Sequence, residues 1–167
     1  MSRTVTTGRT DLSVDVQVAC DDPDIPDKEQ ICAWVAATVA ASNHDSEANV
    51  EVSVRVVDAD EIQTLNQLYR GQDKRTNVLS FPADAAALPA GEVTLLGDIV
   101  VCAPVVRAEA LQQGKALASH WAHMLVHGTL HLLGYEHEAE AEAAVMEGLE
   151  ANILAQQGIA NPYASPE

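Results

Sequence analysis

Histidine is the residue type whose spacing in this sequence speaks first of chemistry. Five of the six histidines (His120, His123, His127, His131 and His137) fall within an 18-residue window. Positions 127 and 131 are four apart, so on a helix both imidazoles share one face, about 6 Å apart along the axis. Such a pair can reach one metal ion. Gly134 is a natural left-handed helix stop, and the reversal it permits brings His137 back toward the pair. Three neutral imidazoles with an open fourth position match the ligand count of a catalytic zinc, not of a closed structural site. His123 shares the same face, but positions 123 and 131 lie about 12 Å apart along a helix. Both cannot serve one ion whose Zn–N bonds are about 2.0–2.1 Å. The expected ligands are therefore His127, His131 and His137, holding one ion per chain, with His120 and His123 as supporting or packing residues. An all-imidazole set favours Zn²⁺, although Ni²⁺ or Cu²⁺ would bind it too.

The competing reading is a set of hydrogen-bonded core histidines. The segment also carries Leu125, Val126, Leu130, Leu132 and Leu133, so its helix is central and buried. Desolvating several imidazoles together without a metal or other partners would be costly. The run H-G-T-L-H-L-L-G-Y-E-H is similar in spacing to the metzincin zinc proteases, H-E-x-x-H-x-x-G-x-x-H. There the Glu after the first His is the general base. Here that position is Gly128, so peptide hydrolysis by that route is not expected.

A second concentration lies upstream. Three of the nine basic residues, Arg70, Lys74 and Arg75, fall within six positions of LNQLYRGQDKRTNVLSFP. Cations beside a zinc site would suit a phosphodiester, since Arg grips phosphate bidentately and stabilises charge developing in the transition state. The same residues would equally suit a solvated turn held by salt bridges.

The elements that must position these residues follow from periodicity. The chain has 167 residues, 47% of them hydrophobic and 20% charged. That indicates one globular domain with a core of its own. Residues 12–20 and 50–57 alternate apolar and polar side chains as half-buried strands do. Residues 76–81 and 93–102 complete four strands. Helices are expected over 26–41, 58–69, 104–117, 119–133 and 138–157. Residues 1–10 and 161–167 read as a flexible N-terminus and tail around a domain at 11–160. The fold expected is α+β (mixed α/β): a small mixed four-stranded sheet packed with about five helices, the metal site on a central helix of the C-terminal half. Three cysteines without a C-x-x-C pair indicate a reducing, cytoplasmic setting. No apolar run reaches the length of a membrane span.

Charge constrains the partner. Nine Lys and Arg against 25 Asp and Glu give −16, whereas a sequence-blind nucleic-acid binder is normally basic. An acidic total slows encounter with polyanions but leaves room for a local basic site, so the positions of the few cations matter.

The segments LNQLYRGQDKRTNVLSFP, LLGDIVVC and HWAHMLVHGTLHLLGYEH, in this order and spacing, resemble the YbeY family of bacterial endoribonucleases, or rRNA maturation factors, in its proteobacterial form. The resemblance spans roughly residues 11–160 and is strongest over 65–137. It implies that His127, His131 and His137 are the zinc ligands and that Arg70 is the functionally important arginine. It implies single-strand-specific cleavage of RNA in maturation of the small-subunit 3′ end and in ribosome quality control. The implied partners are rRNA within ribosomal particles, ribosomal proteins and other processing factors, with neither DNA nor membrane. Glu136 departs from the Asp that many members carry before the last His. Lys74 and Arg75 are candidate substrate contacts. His123 and Asp98 are candidates to orient a ligand imidazole, the alternative for Asp98 being a structural role beside Gly97. Two other classes remain: a non-catalytic zinc-containing assembly factor, and a zinc hydrolase of another substrate.

Overall fold

The computed structural model describes residues 2–7, 10–42, 49–83, 93–136 and 138–163. The chain runs β1 (Ser2–Thr7), β2 (Thr10–Val18), α1 (Lys28–Ala41), β3 (Asn49–Val57), α2 (Ala59–Arg70), β4 (Val78–Pro82), β5 (Val93–Cys102), α3 (Ala103–Gln113), α4 (Leu117–Leu132) and α5 (Glu140–Gln156). The valine alternation directs the sheet. Val14 and Val16 of β2, and Val50, Val52, Val54 and Val56 of β3, all turn to one side and are buried.

All four expected strands are present in a mixed sheet, and five helices surround it. Its order is β1-β2-β3-β5-β4, with β2-β3 and β3-β5 parallel and the two outer pairs antiparallel. The outermost strand β1 is an addition. Residues 2–7, read above as flexible, pair with β2 from Ser2↔Asp15 to Thr7↔Thr10. The backbone ladder suffices to hold such an edge, and it covers the row of donors and acceptors that β2 would otherwise expose.

The sheet has two unequal faces. On one, α1 and α4 bury Trp34, Val35, Trp121, Leu125, Val126 and Leu130 against the valines of β2 and β3 and against Ile99 and Val101 of β5. On the other, α2 covers a smaller cluster of Val57, Ile62, Leu79, Val100 and Cys102. Adjacent residues of a strand point to opposite faces. Along β4, Val78 and Ser80 therefore meet α4, while Leu79 and Phe81 join the α2 side. The histidine helix thus lies on the larger core, against the β4 end of the sheet.

Candidate active site

Helix α4 carries the histidines as a ladder. The ring centroids of His123 and His127 are 6.3 Å apart, and those of His127 and His131 are 4.6 Å apart. The Nε2 atoms of His127 and His131 approach to 3.1 Å. Two nitrogens of a tetrahedral zinc with bonds of about 2.0–2.1 Å would stand about 3.3 Å apart, so the donor pair fits a shared ion. The helix ends beyond His131 at Gly134, whose φ of +100° reverses the chain. The Tyr135 amide then donates to the Leu130 carbonyl at 3.0 Å. His137, the third expected ligand, lies outside the described residues. Among the described residues no three His, Cys, Asp or Glu side chains are grouped to hold an ion.

Gly128, where the proteases have their base, is where α4 touches the sheet. A Cβ there would stand 3.0 Å from Ile99 Cγ2, 3.2 Å from Ser80 Oγ and 3.4 Å from Val78 Cγ2. The Ser80 hydroxyl donates to the Gly128 carbonyl at 3.0 Å. Glycine is thus set by helix-to-strand packing, and a glutamate has no room.

The residue that orients the ladder comes from α5. Glu150, 1% exposed, accepts from His127 Nδ1 at 2.9 Å and from His123 Nε2 at 2.6 Å. The Tyr163 hydroxyl donates to it as well, at 2.7 Å. Burial on its own would push the Glu150 carboxyl up, but the bonds from His123, His127 and Tyr163 together outweigh it and hold it down at about 2. Burial, and then the adjacent Glu150 carboxylate, push the Tyr163 phenol up, so Tyr163 stays a donor. The bond to Glu150 calls for a proton on His127 Nδ1, and in that tautomer the lone pair of Nε2 points to the His131 side.

Next to the histidines a cleft of about 640 Å³ opens, lined by His127, His131, Arg70, Asn77 and Ser80, with Glu136 and Glu138 at its rim. Arg70 is in the last turn of α2, which Gly71 ends at φ +68°. Its guanidinium donates to the Ser80 carbonyl and lies 5.6 Å from the centre of the Phe81 ring. Neither of its expected companions lines this cleft. Arg75 pairs with Asp60 at 3.4 Å and is 58% exposed. Lys74 is exposed in the turn, where its carbonyl accepts from Asn66. The loop after Gly71 carries both away, so the expected trio of cations reduces here to Arg70.

Asp98 lies on the face of β5 away from α4 and orients neither His127 nor His131. It is exposed on the α2 side of the sheet with Arg55, Glu61 and Tyr69. Strand parity is the reason: Ile99, one position on, is the residue that faces α4. His123 has given its Nε2 to Glu150, and its Nδ1 is buried without a hydrogen-bond partner. His120 bonds Glu109 at 2.9 Å, which also accepts from Asn77.

A family model described as "Endoribonuclease YbeY" matches residues 16–158. The chain belongs to the YbeY endoribonuclease family. It is also similar to TM1509 from Thermotoga maritima, known from a solution structure. The two are 24% identical over 90% of this chain and 99% of that one, with a TM-score of 0.54, a likeness that shows the fold. Glu150 is a site residue of this YbeY-family chain that motif spacing does not mark. A signal for it was present: Met146, Glu150, Ile153 and Leu154 form one stripe of α5, and a carboxylate set in an apolar stripe needs a partner.

Proposed function

We propose that this YbeY-family chain is a zinc-dependent endoribonuclease that cuts single-stranded RNA. Its work is maturation of the small-subunit rRNA 3′ end and ribosome quality control, in the cytoplasm and beside ribosomal proteins. Family membership supports an endoribonuclease role in rRNA processing. No helix among the described residues is long and apolar enough to cross a membrane. The observation that carries the zinc reading is the 3.1 Å approach of His127 Nε2 and His131 Nε2 in the wall of the Arg70 cleft.

In this reading His127, His131 and His137 hold the ion. Bound zinc supplies a Lewis acid for a phosphoryl oxygen and an acidified water. Arg70 binds the scissile phosphate through its planar fork and stabilises the charge that develops there. Glu150 keeps the His127 proton on Nδ1. Gln72, exposed in the lining of the cleft, offers its amide to ribose or base edges. Gly128 provides no base, so peptide hydrolysis by the protease route is not available to this site.

The test is metal analysis of purified protein combined with cleavage of a single-stranded RNA. Wild type is expected to carry about one zinc per chain and to lose cleavage on chelation. His131→Ala is expected to lose both. Cleavage that persists in zinc-free protein overturns the metal assignment. Zinc content with no cleavage of any RNA, free or in ribosomal particles, favours a pure assembly factor.

A further inference from the structure

The hydrogen bonds of Glu150 reach from the histidine ladder to the end of the described chain. Its two oxygens divide the work. One accepts from His127 Nδ1 at 2.9 Å; the other accepts from His123 Nε2 at 2.6 Å and from the Tyr163 hydroxyl at 2.7 Å. Tyr163 lies in the turn beyond α5, with its ring edge-on to His123 at 5.4 Å and 87°. Its hydroxyl is also 3.1 Å from His123 Nε2.

We propose that Glu150 is the positioning residue for His127, and that Tyr163 and His123 hold Glu150 in place, so that the C-terminal turn belongs to the metal centre. This rests on the zinc reading above. An imidazole that ligates through Nε2 must carry its proton on Nδ1, and a carboxylate at hydrogen-bond distance from Nδ1 fixes both tautomer and ring rotation. A carboxylate left to rotate could not do this, and His123 and Tyr163 stop the rotation from the opposite oxygen. Packing alone does not account for the residue. Beside Met146, Ile153 and Leu154 an apolar side chain would fill the same space without the desolvation cost of a buried charge.

The experiment compares wild type, Glu150→Gln and Tyr163→Phe, each confirmed as folded by circular dichroism. In metal-free protein, imidazole nitrogen-15 shifts report the His127 tautomer. Zinc affinity is then measured by competition with a chromogenic chelator. Wild type is expected to show the Nδ1–H form. Glu150→Gln is expected to lose that preference and to bind zinc about 10–100-fold more weakly. Tyr163→Phe, at a residue 44% exposed, is expected to fold normally and to show a smaller loss in the same direction. An unchanged tautomer and affinity in Glu150→Gln overturn the proposal while leaving the zinc reading intact. Should Glu150→Gln fail to fold, wild-type values in Tyr163→Phe overturn it instead. Absence of zinc uptake by wild type overturns the zinc reading, and this proposal falls with it.

Discussion

Ser80 and Gly128 are joined across the strand–helix boundary by the 3.0 Å bond from the serine hydroxyl to the glycine carbonyl. The carbonyl of the same serine accepts from Arg70. One edge-strand residue thereby fixes the guanidinium on one side and the backbone next to His127 on the other. Replacing Ser80 with Ala is expected to lower stability by about 1 kcal/mol, the usual net value of one such bond. Activity should fall further than that loss explains, because displacements of about 1 Å can cost about 10²-fold. A urea midpoint measured alongside RNA cleavage separates the two effects.

Arg70 is the basic residue of its segment that lines the cleft, and its replacement should be severe. Arg70→Ala is expected to reduce cleavage about 10²–10³-fold, as losing one charge-stabilising donor does, with zinc content unchanged. Lysine should restore little, since a point charge lacks the bidentate fork. Lys74→Ala and Arg75→Ala should leave kcat/KM close to wild type. The salt dependence follows from the same geometry. One phosphate contact on a single strand gives a slope of about −0.7 in log affinity against log salt, where three would give about −2. A slope near the steeper value would return Lys74 and Arg75 to the binding surface.

Gly128 sets the distance between α4 and the sheet. A methyl group there gains about 1 kcal/mol of helix propensity, but crowding a packed core costs about 1–3 kcal/mol. Gly128→Ala is therefore expected to be neutral to mildly destabilising. Gly128→Glu, which restores the protease pattern, is expected to unfold the protein or to displace α4. Thermal melts of the pair decide the matter. A well-folded Gly128→Glu protein would show that the contacts with Ile99 and Ser80 yield easily.

His120 gives the fold a pH dependence. Burial lowers its pKa, and Glu109 offsets this only in part, while His123 and Lys115 add to the lowering. The folded state therefore resists protonating it. The stabilisation is full above the ordinary histidine value of 6.5 and is lost as pH falls from there toward the lowered value. Urea midpoints between pH 7.5 and 5 should decline, and His120→Gln should flatten that decline. Glu150, held down at about 2, contributes a further loss as pH falls below its ordinary 4.5.

The fold was legible where periodicity is simple. Valine alternation marks β2 and β3, and the spacing of His127 and His131 marks the side of α4 that lines the Arg70 cleft. Glycine stops at 71 and 134 mark the ends of α2 and α4. What escaped depends on tertiary neighbours. Residues 2–7 join the sheet through backbone bonds that leave little trace in side-chain pattern. Asp98 is adjacent in sequence to the right position but on the wrong face of β5. Glu150 lies 23 residues beyond His127, among many carboxylates of α5, and only packing against α4 distinguishes it. That Gly128 lacks a base was readable, but the reason for the glycine belongs to the opposing strand.

The docking of Tyr163 has a practical corollary for anyone handling this protein. A purification handle or reporter fused just downstream would tug on the phenol and, through Glu150, on the imidazole of His127. An oligohistidine handle would add its own chelating groups at the same spot. Fusion at the opposite terminus, beside the outermost strand of the sheet, avoids both artefacts.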